Sequence, residues 1–413
     1  MTSDVLVAGV GMTKFAKPGQ NAPYTEMGAA ALRDALADAG LPYDAVEQAY
    51  AGYVYGDSTC GQAVLYKVGM TGIPVMNVNN NCSTGSTALF MARQAVQSGA
   101  VDVALALGFE HMQPGALTSH WNDRPSPFDA FDAETDDLVG HPEIPLALRY
   151  FGGAGKSHME KHGSSLTDLA RIRAKASRHA VNNPLALFRQ ELSPQDVLDS
   201  PMIWEGVMTR LMACPPTCGA AAAIVVSEDY ARKHGLNQAV RIKGQAMTTD
   251  YASTFEAHDM MQLVGYDMTA AAAKQVQEQT GISIDDVDVV ELHDCFAHNE
   301  MITYEGLGLC PEGGASKFIA DGDNTYGGKV VTNPSGGLLS KGHPLGATGL
   351  AQCYELTNQL RGTAGERQVE GAGNRQGHGC GRRHRRWVGP HDEPANGFAT
   401  KRAAKLRTGC QPA

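Results

Sequence analysis

The hydrophobic positions of this chain follow two periods in turn. Residues 5–10 form a continuous apolar run that reads as a short buried strand, and residues 24–40 carry apolar side chains at helical spacing before stopping at a glycine. The order recurs downstream, where residues 73–78 lead through Asn81-Cys82-Ser83-Thr84-Gly85 into an Ala-rich helix to about Gly99 and then a strand over residues 101–107. Strand-then-helix order predicts an α/β fold and places Cys82 at a strand-to-helix turn. Residues 220–226 supply a further buried strand. Between about 112 and 205 the periodicity fades. Pro and His are scattered there, and Asp129, Asp132, Glu134, Asp136 and Asp137 form a dense acidic run, so the stretch reads as an inserted lid or loop subdomain.

The second half repeats the first. Gly40-Leu-Pro-Tyr-Asp-Ala-Val46 follows its helix as Gly281-Ile-Ser-Ile-Asp-Asp-Val287 follows another, and Thr84-Gly85 opens a helix as Thr348-Gly349 does. The pattern predicts two copies of one α/β unit, residues 1–230 and 235–371, with a site between them that draws on both. The repeat then breaks. The helix ending near Arg361 leads into Gly-Ala-Gly-Asn-Arg-Gln-Gly-His-Gly-Cys380, where no core strand can be read. Residues 371–413 hold 9 Lys plus Arg, 2 Asp plus Glu, one Val, one Leu and no Ile, so their charge is +7 against −17 for the first 370. So abrupt a switch reads as a change of coding frame near residue 372, which makes 372–413 an atypical basic tail.

Composition narrows the function. With 43% hydrophobic and 19% charged residues the 413-residue chain can bury a large core, and its net charge of −10 argues against nucleic acid or an anionic membrane surface as the main partner. No run of 18 apolar residues offers a membrane span, and Met1-Thr2-Ser3-Asp4 lacks the layout of a secretory signal, so a cytoplasmic protein acting on small molecules is expected. The nine cysteines follow no framework of spacings, which predicts reduced thiols. Cys214-Pro-Pro-Thr-Cys218 has no second ligand pair at a metal-site spacing and reads as a structural turn; no metal is expected.

Three clusters carry chemistry. Cys82 sits where the first N–H groups of a helix favour a thiolate, although a cysteine among alanines also reads as a small core residue. Asn333-Pro-Ser-Gly-Gly-Leu-Leu-Ser-Lys-Gly-His343 is a Gly-rich loop that delivers one imidazole just before a helix, as a base or as a turn residue. Glu291-Leu-His293-Asp294-Cys295-Phe296 ends a strand predicted over residues 287–292 and offers a second imidazole and thiol at the sheet edge that ligands prefer.

Cys82-Ser-Thr-Gly85, His293-Asp-Cys-Phe296 and Gly342-His-Pro-Leu-Gly-Ala-Thr-Gly349, in that order and about 210 and 50 residues apart, resemble the thiolase superfamily over residues 1 to about 371. His-Asp-Cys-Phe in place of the Asn-Glu-Ala-Phe of most thiolases is similar to the sterol-carrier-protein-type, or lipid-transfer-protein, thiolases. The resemblance implies a five-layered α/β/α/β/α sandwich of two repeated halves, a loop domain over the active site, and a homodimer. It also implies an acyl-CoA C-acyltransferase that cleaves 3-oxoacyl-CoA with CoA, in fatty-acid or steroid side-chain degradation. On that reading Cys82 is acylated, His343 activates it and helps bind the thioester oxygen, His293 contributes to an oxyanion hole, and Cys295 shuttles the second proton. Asp294 and Phe296 position the turn, and Ser335, Gly336, Gly337 and Gly342 contact substrate or CoA. Coenzyme A is a substrate, and no metal or redox cofactor is needed. Two alternatives stand beside this one: a retro-aldolase acting on 3-hydroxyacyl-CoA, whose thiolase-fold members lack the nucleophilic cysteine, and a non-catalytic lipid or acyl-CoA binding protein. Cys380-Gly-Arg is a poor match to the family's C-terminal motif and is given no role.

Overall fold

The computed structural model describes residues 4–113, 121 and 123–372. The basic tail from residue 373 onward, with Cys380, lies outside the described residues.

The first half opens with β1 (Val5–Met12), α1 (Tyr24–Ala39), β2 (Gln48–Gly52), α2 (Cys60–Leu65), β3 (Val75–Val78), α3 (Thr84–Gln97) and β4 (Val103–Glu110). An insertion follows, with α4 (Asp129–Val139), α5 (Leu146–His162), α6 (Leu166–Ala180), α7 (Pro194–Leu198) and a hairpin of β5 (Met202–Trp204) and β6 (Met208–Thr209). The chain then returns to the sheet as β7 (Gly219–Ser227), α8 (Glu228–His234) and β8 (Val240–Arg241). The second half contains α9 (Ser253–Glu256), α10 (Met260–Leu263), α11 (Tyr266–Thr280), β9 (Val289–Val290), α12 (Ala297–Gly306), α13 (Ala315–Ala320), β10 (Val331–Thr332), α14 (Gly337–Ser340) and α15 (Leu345–Arg361).

Strands β1, β4 and β7 are buried along their whole length and almost wholly apolar because both their faces are covered. They belong to a six-stranded mixed sheet in the order β3-β2-β4-β7-β1-β8. A bulge between Val7 and Gly9 changes the parity of β1. Val5, Val7, Val10 and Met12 therefore face a cluster with α3 and α15, while Leu6 and Ala8 face α1. Beyond α15 lies a second sheet, in which β9 pairs in parallel with β10. Val289 packs with Leu356 of α15, and Val290, on the opposite face, joins the cluster that holds Ala273 of α11 and Met301 of α12. Alternation of helix and sheet through these contacts gives the five layers that the resemblance implies.

The internal repeat is visible in three dimensions. Both α1 and α11 end on a left-handed glycine, Gly40 at φ 67° and Gly281 at φ 65°. A single 3₁₀ turn follows each, closed by Val46 N–H to Tyr43 O and Val287 N–H to Ile284 O, both at 3.1 Å. Strand β2 pairs in parallel with β3 as β9 does with β10.

Two sequence expectations differ from the structure. The stretch from 112 to 205 contains four helices, and its boundary at 205 falls inside the β5–β6 hairpin. The acidic run forms α4, where Asp132 and Asp136 pair with Arg149, and Asp132 also accepts the Tyr150 hydroxyl at 2.6 Å. The strand expected over 287–292 is confined to Val289–Val290, since the following residues turn into the site. No helix among the described residues is long and apolar enough to cross a membrane.

Candidate functional site

Residues 79–83 connect β3 to α3 in a turn tightened by Asn80 N–H to Thr84 Oγ1 at 2.7 Å, with Asn81 at a left-handed φ of 45°. Cys82 follows that strained residue and directly precedes Ser83, the N-cap of α3. Its side chain is buried at 7% exposure. One nitrogen each of His293 and His343 and the Cys82 sulfur all lie within 4.8 Å of one another. Cys82 comes from the first half and both imidazoles from the second, as the repeat suggested.

His343 is oriented by its neighbours. Its backbone N–H donates to Thr217 Oγ1 at 3.1 Å, and its Nδ1 lies 2.7 Å from Thr348 Oγ1. Thr348 gives its own proton to the Pro344 carbonyl at 3.0 Å, so Nδ1 must carry the hydrogen and Nε2 the lone pair. That Nε2 is buried and has no hydrogen-bond partner among the described residues. Burial, and secondarily repulsion from His293, hold the His343 pKa well below the usual imidazole value. The result is a neutral ring with its lone pair in a buried pocket, as a base for a thiol requires. The His293 and His343 rings meet edge to face at 4.8 Å and 86°.

The loop after β9 is clamped from several sides. Leu292 donates its N–H to Asn333 Oδ1 at 2.8 Å, and the Leu292 and His293 carbonyls accept from Gln352 and Asn299. Asp294 accepts from the N–H groups of Leu338 at 2.7 Å and Leu339 at 3.3 Å and so caps α14. Burial, followed by the nearby Glu300 charge, raises the Asp294 pKa to about 7. Cys295 is buried too, but its thiol is not one of the three groups that converge within 4.8 Å. Its carbonyl accepts from Cys214 N–H at 2.9 Å, Phe296 bridges to Ala213, and Pro216 bridges to His343. The segment read as a plain turn at Cys214–Cys218 therefore runs between the two histidine-bearing loops and ties them together.

The four residues expected to meet substrate or CoA are all buried, and the contacts found for them are internal. Ser335 donates its hydroxyl to Glu291 at 2.7 Å, and Lys341 completes that carboxylate's shell at 3.2 Å. Gly336 packs on Ala180 of α6, Gly337 on the Asp294 carboxylate and Gly342 on Thr217, each too closely for a side chain.

Sequence reading missed Thr217, whose hydroxyl receives the His343 N–H, and Glu110. The signal for Glu110 was present, since it is the one charged residue of the otherwise uncharged run that forms β4. Its carboxylate is fully buried and accepts from Tyr55 N–H and Gly346 N–H, both at 2.9 Å. Desolvation raises its pKa to about 7.

Among the described residues, two groups of side chains could hold a metal ion. Cys82, His293 and His343 form a thiol-imidazole set of the type that takes zinc. His158, His162 and Glu305 form the other, although His158 is already hydrogen-bonded to Ser164 at 2.8 Å and Glu305 at 3.0 Å.

Comparison with known proteins agrees with this architecture. The model of the thiolase N-terminal domain matches residues 5–200, and that of the thiolase C-terminal domain-like family matches residues 249–384. Sterol carrier protein 2 of Gallus gallus is 54% identical over 384 residues, which cover 92% of this chain and 70% of the relative. Non-specific lipid-transfer protein-like 2 of Caenorhabditis elegans is 45% identical, over 88% of this chain and 90% of its own length. Among solved structures, the Ltp2-ChsH2(DUF35) aldolase superposes with a TM-score of 0.73 at 23% identity, covering 87% of this chain and 91% of that one, and shares the fold. With both family domains matched and relatives this similar along most of its length, the chain belongs to the thiolase superfamily.

Proposed function

We propose that the protein is an acyl-CoA C-acyltransferase that cleaves 3-oxoacyl-CoA with CoA. The observation that carries the reading is the convergence of Cys82 with two buried imidazoles, one of which, His343, keeps its Nε2 lone pair unengaged. In the first half-reaction His343 Nε2 takes the Cys82 proton and the sulfur bonds to the C3 keto carbon. The resulting oxyanion collapses with cleavage of the C2–C3 bond. His293 stabilises the thioester enolate that leaves, and Cys295 protonates it to give acetyl- or propionyl-CoA. In the second half-reaction the incoming CoA thiol yields its proton to Cys295 and attacks the acyl-Cys82 carbonyl. The shortened acyl-CoA departs and Cys82 regains its proton from His343.

CoA is thus a substrate, and these steps call on no further cofactor. We propose a homodimer, because among the described residues β3 is the edge strand beside β2 and presents half-buried Val75 and Met76 there, and a cytoplasmic setting, because the thiols the mechanism uses need a reducing compartment. Ser335, Gly336, Gly337 and Gly342 would then shape the floor of the CoA site from within.

The test is CoA-dependent loss of the magnesium-enolate absorbance of a 3-oxoacyl-CoA, with mass spectrometry for an acyl adduct on Cys82. Neither signal in folded protein would overturn the proposal. A second reading, a non-catalytic lipid or acyl-CoA carrier, draws on the names of the two relatives above. Calorimetric binding of long-chain acyl-CoA without thiolysis would favour it. Turnover of a 3-hydroxyacyl-CoA that survives Cys82→Ala would instead indicate a retro-aldolase.

A further inference from the structure

We infer that Glu110 is a positioning residue that holds the His343-bearing helix in register with the Cys82-bearing half. The inference rests on the pairing of Cys82 with His343 proposed above. Glu110 ends β4 with no solvent exposure. Its Oε1 accepts from Tyr55 N–H at 2.9 Å, and its Oε2 accepts from Val54 N–H at 3.2 Å and Gly346 N–H at 2.9 Å. Val54 and Tyr55 lie just after β2, in the half that supplies the nucleophile. Gly346 is the second residue of α15, whose first turn also carries Thr348, the group that orients His343. One carboxylate therefore caps α15 from the other half of the molecule.

Close backbone packing makes this register exacting. A Cβ on Gly108 would overlap the Gly346 carbonyl, and a Cβ on Gly346 would overlap the carbonyls of Phe109 and Gly52. The start of α15 thus rests directly on the ends of β2 and β4, and a shift of the cap moves Pro344 and His343 with it. The hydrogen-bond partners found for the Glu110 carboxylate are backbone N–H groups of both halves. Only a carboxylate presents acceptors in both directions; an amide of the same shape would point its NH₂ at one of the N–H donors. The placement is costly as well, since burial disfavours the charged form.

The experiment reads Cys82 reactivity rather than turnover. Alkylation of full-length protein by iodoacetamide is followed at neutral pH by peptide mass spectrometry, with the other cysteines as internal controls. Glu110→Gln, Glu110→Asp, His343→Ala and the Glu110→Gln/His343→Ala pair are compared. Glu110→Gln is expected to slow Cys82 alkylation by about tenfold or more, because small misplacements of a base are expensive, and to add nothing once His343 is gone. Glu110→Asp keeps the charge but shortens the reach, so it too should slow Cys82, which covers the case in which the Gln variant melts early. A wild-type Cys82 rate in either folded Glu110 variant overturns the inference, as do slowdowns that multiply in the double variant. If His343→Ala itself leaves the rate unchanged, the proposed pairing of Cys82 with His343 has failed instead.

Discussion

At the scale of single residues, the site depends on which nitrogen of His343 bears the proton, and Thr348 decides it. Replacing Thr348 with Val keeps the shape but removes the acceptor for Nδ1–H. The loss of such an orienting partner is expected to lower kcat by about tenfold to a hundredfold with little change in KM. Steady-state kinetics check this, and a change confined to KM would contradict it. A second residue-scale prediction concerns pH. His298 is fully buried and donates from Nε2 to the Val207 carbonyl at 2.8 Å, and desolvation lowers its pKa from 6.5 to about 4. With the folded pKa depressed, the unfolded chain binds the proton first. This contribution to stability is therefore complete above pH 6.5 and is lost progressively toward pH 4, by on the order of 3 kcal/mol. His298→Gln can keep the donation to Val207 and does not titrate. Its stability relative to wild type should rise as pH falls through that window, and parallel denaturation curves at all pH values would refute the assignment. Cys82, His293 and His343 were legible in the sequence because each sits in a short motif of unusual composition. Glu110 and Thr217 were not, because their partners lie in segments far along the chain.

At the scale of elements, α6 shows why the insertion resisted reading. Its sequence, Leu-Thr-Asp-Leu-Ala-Arg-Ile-Arg-Ala-Lys-Ala-Ser-Arg-His-Ala, looks polar, yet Arg173, Lys175, Ser177 and His179 are all buried. Ser177 bonds within the insertion, to Ala174 and Leu192, whereas the other three find partners in the second half. Arg173 donates to Ser340 Oγ at 2.7 Å, Lys175 pairs with Glu300 of α12 and donates to Thr332 on β10, and His179 contacts the Asn333 carbonyl at 3.0 Å. The helix does carry an apolar stripe of Leu166, Leu169, Ile172 and Ala176, but the charged side chains buried beside it against the second half leave no mark on the hydrophobic period. Lys175→Met should cost about 3 to 5 kcal/mol by stranding the Glu300 carboxylate, whereas the double variant with Glu300→Leu should recover much of that loss. Denaturant unfolding of the three proteins decides; a single variant as stable as wild type would show that the pair contributes nothing. The strands of the first half were legible for the opposite reason. Both faces of β1, β4 and β7 are apolar, so their sequence signal is continuous.

At the scale of the whole molecule, the two halves are unequal among the described residues. Strand β2 is paired on both sides, by β3 and β4, whereas β9 is paired with β10 alone. An apolar groove lined by Val7, Leu89, Val240, Val276, Ile284 and Leu360 opens between β8 and the start of the second sheet. In the first half the strand after α3 is the apolar β4; after α15 the sequence offers one Val and one Leu in residues 371–413. We therefore expect the 413-residue chain to be less soluble and less active than a version read in the alternative frame beyond about residue 372, with several core aliphatic side chains at stake and each worth about 1.5 to 3 kcal/mol. Expressing both forms and comparing melting temperature and thiolysis tests this, and equal values would refute the expectation. The sequence by itself determined the α/β alternation, the internal repeat and the cysteine and two histidines that the structure brings together, since each is written in local period or in a short motif. Only the tertiary structure decided how they meet. Cys82 and His343 lie far apart in the chain, and their approach depends on glycine backbones of α3 and α15 in contact, on the 213–217 segment strung between two loops, and on one buried carboxylate that accepts from both halves. No periodicity encodes those contacts, because each is a packing relation between residues that share no local pattern.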